Sequence, residues 1–278
     1  MRGRALDRKL ARDLWRLKWQ VLAIALLIAC GVAVAVMAFS SQEALKRAQA
    51  EFYRDTRFAD VFATAKAAPM SRLADLAAID GVAAVDVRIM EAGLMEVPGL
   101  ARPAIARVIS LPTGPGAALN GVIVSQGRLP DPESLDEAVA LKPFMDAAGV
   151  KLGERLTAVI GGRAASFTIV GTGLSPEYVF TPSPESFMPD DAHQAVLWAP
   201  RAAVERAAGL SGAFNTVGLD LAAGASTPAV LRAVDRILAP YGGRAAYARE
   251  DQPSHMFLEA ELDELSTSAA ILPPIFLI

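Results

Sequence analysis

The chain contains one cysteine, Cys30, and two histidines, His193 and His255, in 278 residues. A single thiol cannot form an intramolecular disulfide, so the composition neither requires nor excludes an oxidising compartment. Two separate histidines, with no Cys pair, no His-Glu-x-x-His and no spaced Asp loop, leave no donor set for a metal, and both are expected to be exposed or locally bonded. There is no GxxxxGK[ST] loop to cradle nucleotide phosphates. Gly171-Thr172-Gly173 lacks the third glycine of a dinucleotide fingerprint and reads as a turn. Ser211 lies in GLSGA and Ser125 in IVSQG, and neither is the GxSxG of a nucleophile elbow. The acids of 131–137 (DPESLDE) read as a solvated turn capping the next helix. No catalytic, cofactor-binding or metal-ligating residue can therefore be nominated, no cofactor is expected, and the chain does not read as an enzyme.

Charge is also missing where its absence is informative. Residues 19–42 carry no ionisable side chain other than the Cys30 thiol, and 21–39 (VLAIALLIACGVAVAVMAF) are almost purely apolar. Nineteen residues make a helix of about 28 Å, close to the ~30 Å hydrocarbon core of a bilayer. Seven basic residues against two acids precede this stretch, a net of +5; the whole chain is −3, so the remainder is −8. Basic residues beside a span stay on the cytoplasmic side. The bulk of the chain is then an acidic extracytoplasmic domain, which argues against a nucleic-acid partner. A cleaved signal peptide would carry a shorter apolar region ending at a small-x-small site. Here the Ala-x-Ala matches, such as Ala33-Val34-Ala35, lie inside the run, and bulky Met37 and Phe39 follow.

Before the span, Leu6, Leu10, Leu14 and Leu17 share one helical face, and Arg8, Arg12 and Arg16 share another. Two readings fit: a helix lying on anionic membrane lipid, or charges that only set topology. After the span, mixed charge at 41–57 continues the helix as a stalk. Strands are expected at 58–65, 82–97, 104–111, 122–125, 154–160, 166–172, 195–198, 216–221 and 244–248, and helices at 71–79, 143–148, 200–208 and 227–238. The proline-rich 175–191 reads as a loop. Helix returns from Met256, and no Asp, Glu, Lys or Arg follows Glu264. The closing stretch 266–278 makes only ~20 Å of helix. It is read as the start of a second span; the alternative is a terminal peptide packed on the domain.

The expected organisation is a cytoplasmic basic helix (1–18), a first transmembrane helix (19–40), a stalk helix (41–57), an extracytoplasmic core (58–251), a return stalk (252–265) and a truncated second transmembrane helix (266–278). Within the core, an α/β subdomain (58–111 and 192–251) encloses a β-rich insert (112–191). The fold class is α+β.

This order, together with GRLPDPESLDEAVA at 127–140, AAGVKLGERLTAVIGGRAASFTIVGTG at 147–173 and the closing FLEAELDEL…ILPPIFLI, resembles the FtsX-like permeases of ABC transporters, with their MacB-type periplasmic core domain. The resemblance covers essentially the whole chain and rests on order and spacing rather than on one motif. Locally, Gly127, Gly149 and Gly153 suit turns with positive φ, and Gly161-Gly162 suits a hairpin. The resemblance implies an N-terminal piece of an inner-membrane permease that pairs with a second permease copy or related half. It also implies an ATP-binding cassette subunit as cytoplasmic partner, and a periplasmic adaptor or a lipoprotein or lipid substrate as further partners. ATP hydrolysis would belong to the separate subunit, whose contact loop in this family follows the point where the sequence stops. The rival reading is a single-pass anchored periplasmic binding or adaptor protein.

Overall fold

A computed structural model describes residues 15, 17–112, 118–181 and 190–277. The expected basic helix at 1–18 lies almost wholly outside the described residues, as do most of the turn at 112–116 and half of the 175–191 loop. The chain divides into two units, 1–50 with 259–278, and 51–258. The elements in order are α1 (Lys18–Asp55), β1 (Val61–Pro69), α2 (Arg72–Ala77), β2 (Val82–Arg88), β3 (Met90–Glu96) and β4 (Ala104–Ser110). Next come β5 (Ile123–Gly127), β6 (Glu137–Leu141), α3 (Lys142–Ala148), β7 (Arg155–Ile160) and β8 (Arg163–Leu174). The last are β9 (Gln194–Ala199), α4 (Arg201–Ala208), β10 (Ala213–Leu221), α5 (Thr227–Leu238), β11 (Tyr247–Ala248) and α6 (Pro253–Leu277).

The first unit holds α1 up to residue 50. Among the described residues it is the one helix long and apolar enough to cross a membrane. Lys18 lies over the rings of Trp15 and Trp19, at 5.7 and 5.5 Å, the residue types that favour a membrane–water interface. Gly31, Val34, Ala35, Ala38, Gln42 and Gln49 are its shielded positions, a stripe at spacings near three, four and seven. Gln49 Nε2 donates to Glu259 Oε1 of α6 at 2.8 Å.

The second unit holds two sheets. The first has the order β11-β1-β10-β2, every neighbour antiparallel. With α2 and α5 it is a split βαβ arrangement. Period-two alternation assigns its faces: Val61 and Ala63 pack with Leu76, Val230 and Val234, while Phe62 joins Phe58, Ala59 and Leu119 in a separate cluster. The second sheet enters between β2 and β10, where a hairpin would otherwise connect them. Its pairings run β8-β6-β9-β4-β3-β7 and return to β8, with β5 alongside β8. Thr168 faces Glu137 of β6 and Arg155 of β7, so β8 closes the ring. Among the described residues, closure gives every strand of the ring two neighbours and leaves β5, which pairs only with β8, as the sheet's one edge. It demands close approach at Gly93, where a Cβ would stand 2.1 Å from the Val159 carbonyl oxygen. Phe144, Phe167, Leu156, Ile160 and Trp198 belong to its core; each of the first four is worth about 1.5–3 kcal/mol on burial.

The architecture is mixed α+β, but the sheets divide the chain differently from the expected boundaries. β3, β4 and β9 belong to the closed sheet, so the inserted unit runs from about 90 to 210 rather than 112 to 191. The expected strand at 82–97 is two strands in two sheets, broken at fully buried Ile89. The break is imposed from outside: Ser110 Oγ accepts from the Ile89 N–H, and the Asn215 side chain bonds both the N–H and the C=O of Met90. Arg201 of α4 stitches the same place, donating to Val87 O at 3.2 Å and Ala213 O at 2.6 Å. The 131–137 acids cap no helix. Glu137 instead opens β6, an unforeseen strand, and accepts from Arg128 at 2.6 and 2.8 Å and from the Asp131 N–H at 2.9 Å. The strand expected at 58–65 begins at Val61, and the one at 244–248 is only Tyr247–Ala248. The Gly161-Gly162 turn, both glycines at positive φ, and the helix at 227–238 are as expected.

Candidate functional site

The densest set of unusual interactions in the second unit lies where α1 ends and α6 begins. Helix α1 closes in a Schellman-like turn: the Phe58 N–H reaches Tyr53 O at 2.9 Å and the Arg57 N–H reaches Arg54 O at 3.1 Å. The left-handed position is filled by Arg57, at φ 49°, where glycine is usual. No stop signal is visible in the sequence there for that reason. The accompanying apolar contact is Tyr53 on Phe58, with ring centroids 4.6 Å apart. The 118–121 segment supplies the remaining partners. Asn120 N donates to Arg57 O, Gly121 N to Thr56 O, and the Ala59 N–H donates to Asn120 Oδ1.

Arg249 fastens the turn from the other side. Its guanidinium lies 5.2 Å from the Phe58 ring centre, pairs with Asp60 at 2.7 Å, and donates to the carbonyls of Phe58 and Ala59. The Tyr53 hydroxyl and His255 Nδ1 are 3.1 Å apart, which ties the last turn of α1 to the first turn of α6. His255 is therefore locally bonded, and so is His193, whose Nδ1 lies 2.8 Å from Asp190 Oδ1. Among the described residues no cluster of His, Cys, Asp or Glu could hold a metal ion.

A strap from the inserted unit crosses the same place. Residues 175–181, which leave β8, are held by α6: Ser254 Oγ lies within donating reach of Glu177 O (2.7 Å) and Phe180 O (3.0 Å), and accepts from the Phe180 N–H at 3.2 Å. Gln252 Nε2 also donates to Glu177 O, at 3.1 Å. Phe180 stacks on Phe257, with centroids 4.0 Å apart and planes 6° from parallel. Ser254 and Gln252 are almost wholly buried, so these are not surface contacts.

The Glu177 side chain enters a buried ion cluster. Its Oε2 is 2.8 Å from Arg88 Nη2, and Asp86 Oδ2 is 3.5 Å from Arg88 Nε. Burial works to lower the Arg88 pKa, but the charges of Glu177 and then Asp86 outweigh it, and Arg88 stays well above its usual range. Burial raises Asp86, with Arg88 opposing and Glu177 adding. Charges this deeply buried survive only when paired. The cluster joins β2 of the split βαβ sheet to the strap of the inserted unit, close to where the strap is held by α6.

The sequence nominates no site residue, and the structure brings together side chains that are far apart in the chain. One signal was present: Asp86 and Arg88, two residues apart on one strand face, interrupt an otherwise apolar run. Beside the cluster is a cavity of about 200 Å³, bounded by residues that include Phe62, Tyr178, Phe180, Tyr247, Arg107 and Glu177.

No protein-family model matches the chain, and no curated protein matches it. Among solved structures it is similar to the extracellular domain of the ABC-type transporter YknZ from Gram-positive bacteria, at 12% identity and a TM-score of 0.43, over 68% of this chain and 98% of that one. It is also similar to the periplasmic region of MacB from Actinobacillus actinomycetemcomitans, at 10% identity and a TM-score of 0.43, over 76% of this chain and 95% of that one.

Proposed function

We propose that this chain is a membrane-spanning permease subunit of an ABC transporter, whose helices carry motion from a cytoplasmic ATP-binding cassette subunit to an extracytoplasmic head. The observation that supports this reading most is the continuity and fixing of α1. It runs unbroken from the apolar stretch into its closing turn, and its last turn is bonded to the first turn of α6. Within each unit α1 is bonded to α6, by Gln49–Glu259 in the first and by Tyr53–His255 in the second. The strap then passes displacement of α6 to the inserted unit through Ser254, Gln252 and Phe257.

On this reading the chain catalyses nothing itself. Its head pushes or releases an extracytoplasmic substrate such as a lipoprotein or lipid, working beside a second permease copy or related half. The test is purification of the tagged protein from its native membranes in mild detergent. A nucleotide-binding subunit in stoichiometric amount, with vanadate-sensitive ATP turnover, is expected. Purification of the chain without such a subunit contradicts the reading and favours a membrane-anchored binding or adaptor protein.

A further inference from the structure

The cavity beside the ion cluster is lined by an arginine that the coupling role does not use. Two of its charged lining residues are Glu177 and Arg107. Glu177 is paired: its Oε2 lies 2.8 Å from the buried Arg88, which it shares with Asp86. Arg107 is not. Its Nη1 donates to Gln194 Oε1 at 2.9 Å, a neutral partner, and among the described residues no carboxylate lies within ion-pair distance of it. The guanidinium is partly buried, so solvent screens it less than a surface arginine. A second donor lines the same space. The Tyr247 side chain lines it, and a tyrosine hydroxyl keeps its proton at neutral pH.

The walls are aromatic. Phe62 and Tyr247 stack with centroids 5.6 Å apart, and Tyr178 and Phe180 also line the space. A cavity of about 150 Å³ suffices for benzene, so about 200 Å³ admits one ring bearing one small charged group. Guanidinium groups favour planar oxyanions, which they can grip through two parallel N–H donors. We propose that this cavity is a binding site for a small organic monoanion, a ring-bearing carboxylate, with Arg107 and Tyr247 as its donors. Ligand pockets of this kind combine apolar walls with a few convergent polar groups. The site needs no transport activity and stands or falls separately from the permease reading.

The experiment is equilibrium dialysis of the full chain in detergent against radiolabelled benzoate and, separately, its neutral isostere benzamide. Empty micelles correct for partitioning. Saturable benzoate binding in the millimolar range or tighter is expected, with benzamide at least about tenfold weaker, the worth of one charged hydrogen bond. Arg107→Gln should weaken benzoate by about ten- to a hundredfold, while Arg155→Gln, on an exposed strand position of the inserted unit, leaves it unchanged. Absence of saturable benzoate binding, equal binding of benzamide, or unaltered affinity in Arg107→Gln overturns the proposal. Should Arg107→Gln fail to fold, the comparison of the two probes on the unaltered chain decides.

Discussion

Arg88 lies at the centre of the buried ion cluster. Its side chain is 4% exposed and serves two carboxylates at once. Replacing it leaves Asp86 and Glu177 buried without a counter-charge, which costs about 3–5 kcal/mol. Arg88→Ala is therefore expected to lower the thermal midpoint of the purified protein sharply, whereas Arg128→Ala at the surface should shift it little; equal shifts would contradict this. The surface clasp has its own signature. Hydrogen bonds from Arg128, then from the Asp131 N–H, hold the Glu137 carboxyl at about 2, below its ordinary 4.5. A carboxylate with a depressed folded pKa adds stability that is full above 4.5 and lost as the pH falls towards 2. Glu137→Gln should remove that part of the acid dependence, and denaturant melts across this window check it. Asp86 has the opposite sign: its raised value makes its contribution full below 3.8 and lost as the pH rises.

Among the elements, α1 makes the sharpest prediction. Leu26 and Leu27 stand near the middle of its apolar stretch, and both are more than half exposed in the isolated chain. An arginine at mid-span costs about 2.5–3.5 kcal/mol on the insertion scale. Leu26→Arg with Leu27→Arg should therefore move the protein from the carbonate-washed membrane pellet to the supernatant, and full retention would contradict the assignment of the span. Elements with local causes were legible in the sequence. The helix at 227–238 follows from its apolar spacing and the Pro228 in its first turn, and the β7–β8 hairpin from its paired glycines. Strand β6 was not legible. Its sequence EAVAL is buried from Ala138 onward, so it lacks the alternation that marks a half-exposed strand, and its alanines favour helix. The division of 82–97 was hidden for a related reason. Nothing within VAAVDVRIM breaks a strand; the break comes from Asn215 and Ser110, which reach Ile89 and Met90 from elsewhere in the chain.

Across the chain, the split βαβ sheet, the closed inserted sheet and the end of the apolar helix are fastened by a single knot of Tyr53, Arg88, Glu177, Arg249 and Ser254. The outline of this plan, a long apolar helix followed by an α+β domain, was readable from charge and hydropathy. The knot was not, because its members pair only after the fold has formed. Everything in the functional reading depends on the helix being rooted in lipid with the head outside the cytoplasm. Lys151 is exposed at the head's surface, and Cys30 is the chain's one native thiol. In a Cys30→Ser background, Lys151→Cys should react with a membrane-impermeant maleimide in intact spheroplasts while the protein remains in the washed membrane pellet. Labelling only after lysis, or recovery of the unlabelled protein in the soluble fraction, would contradict that arrangement.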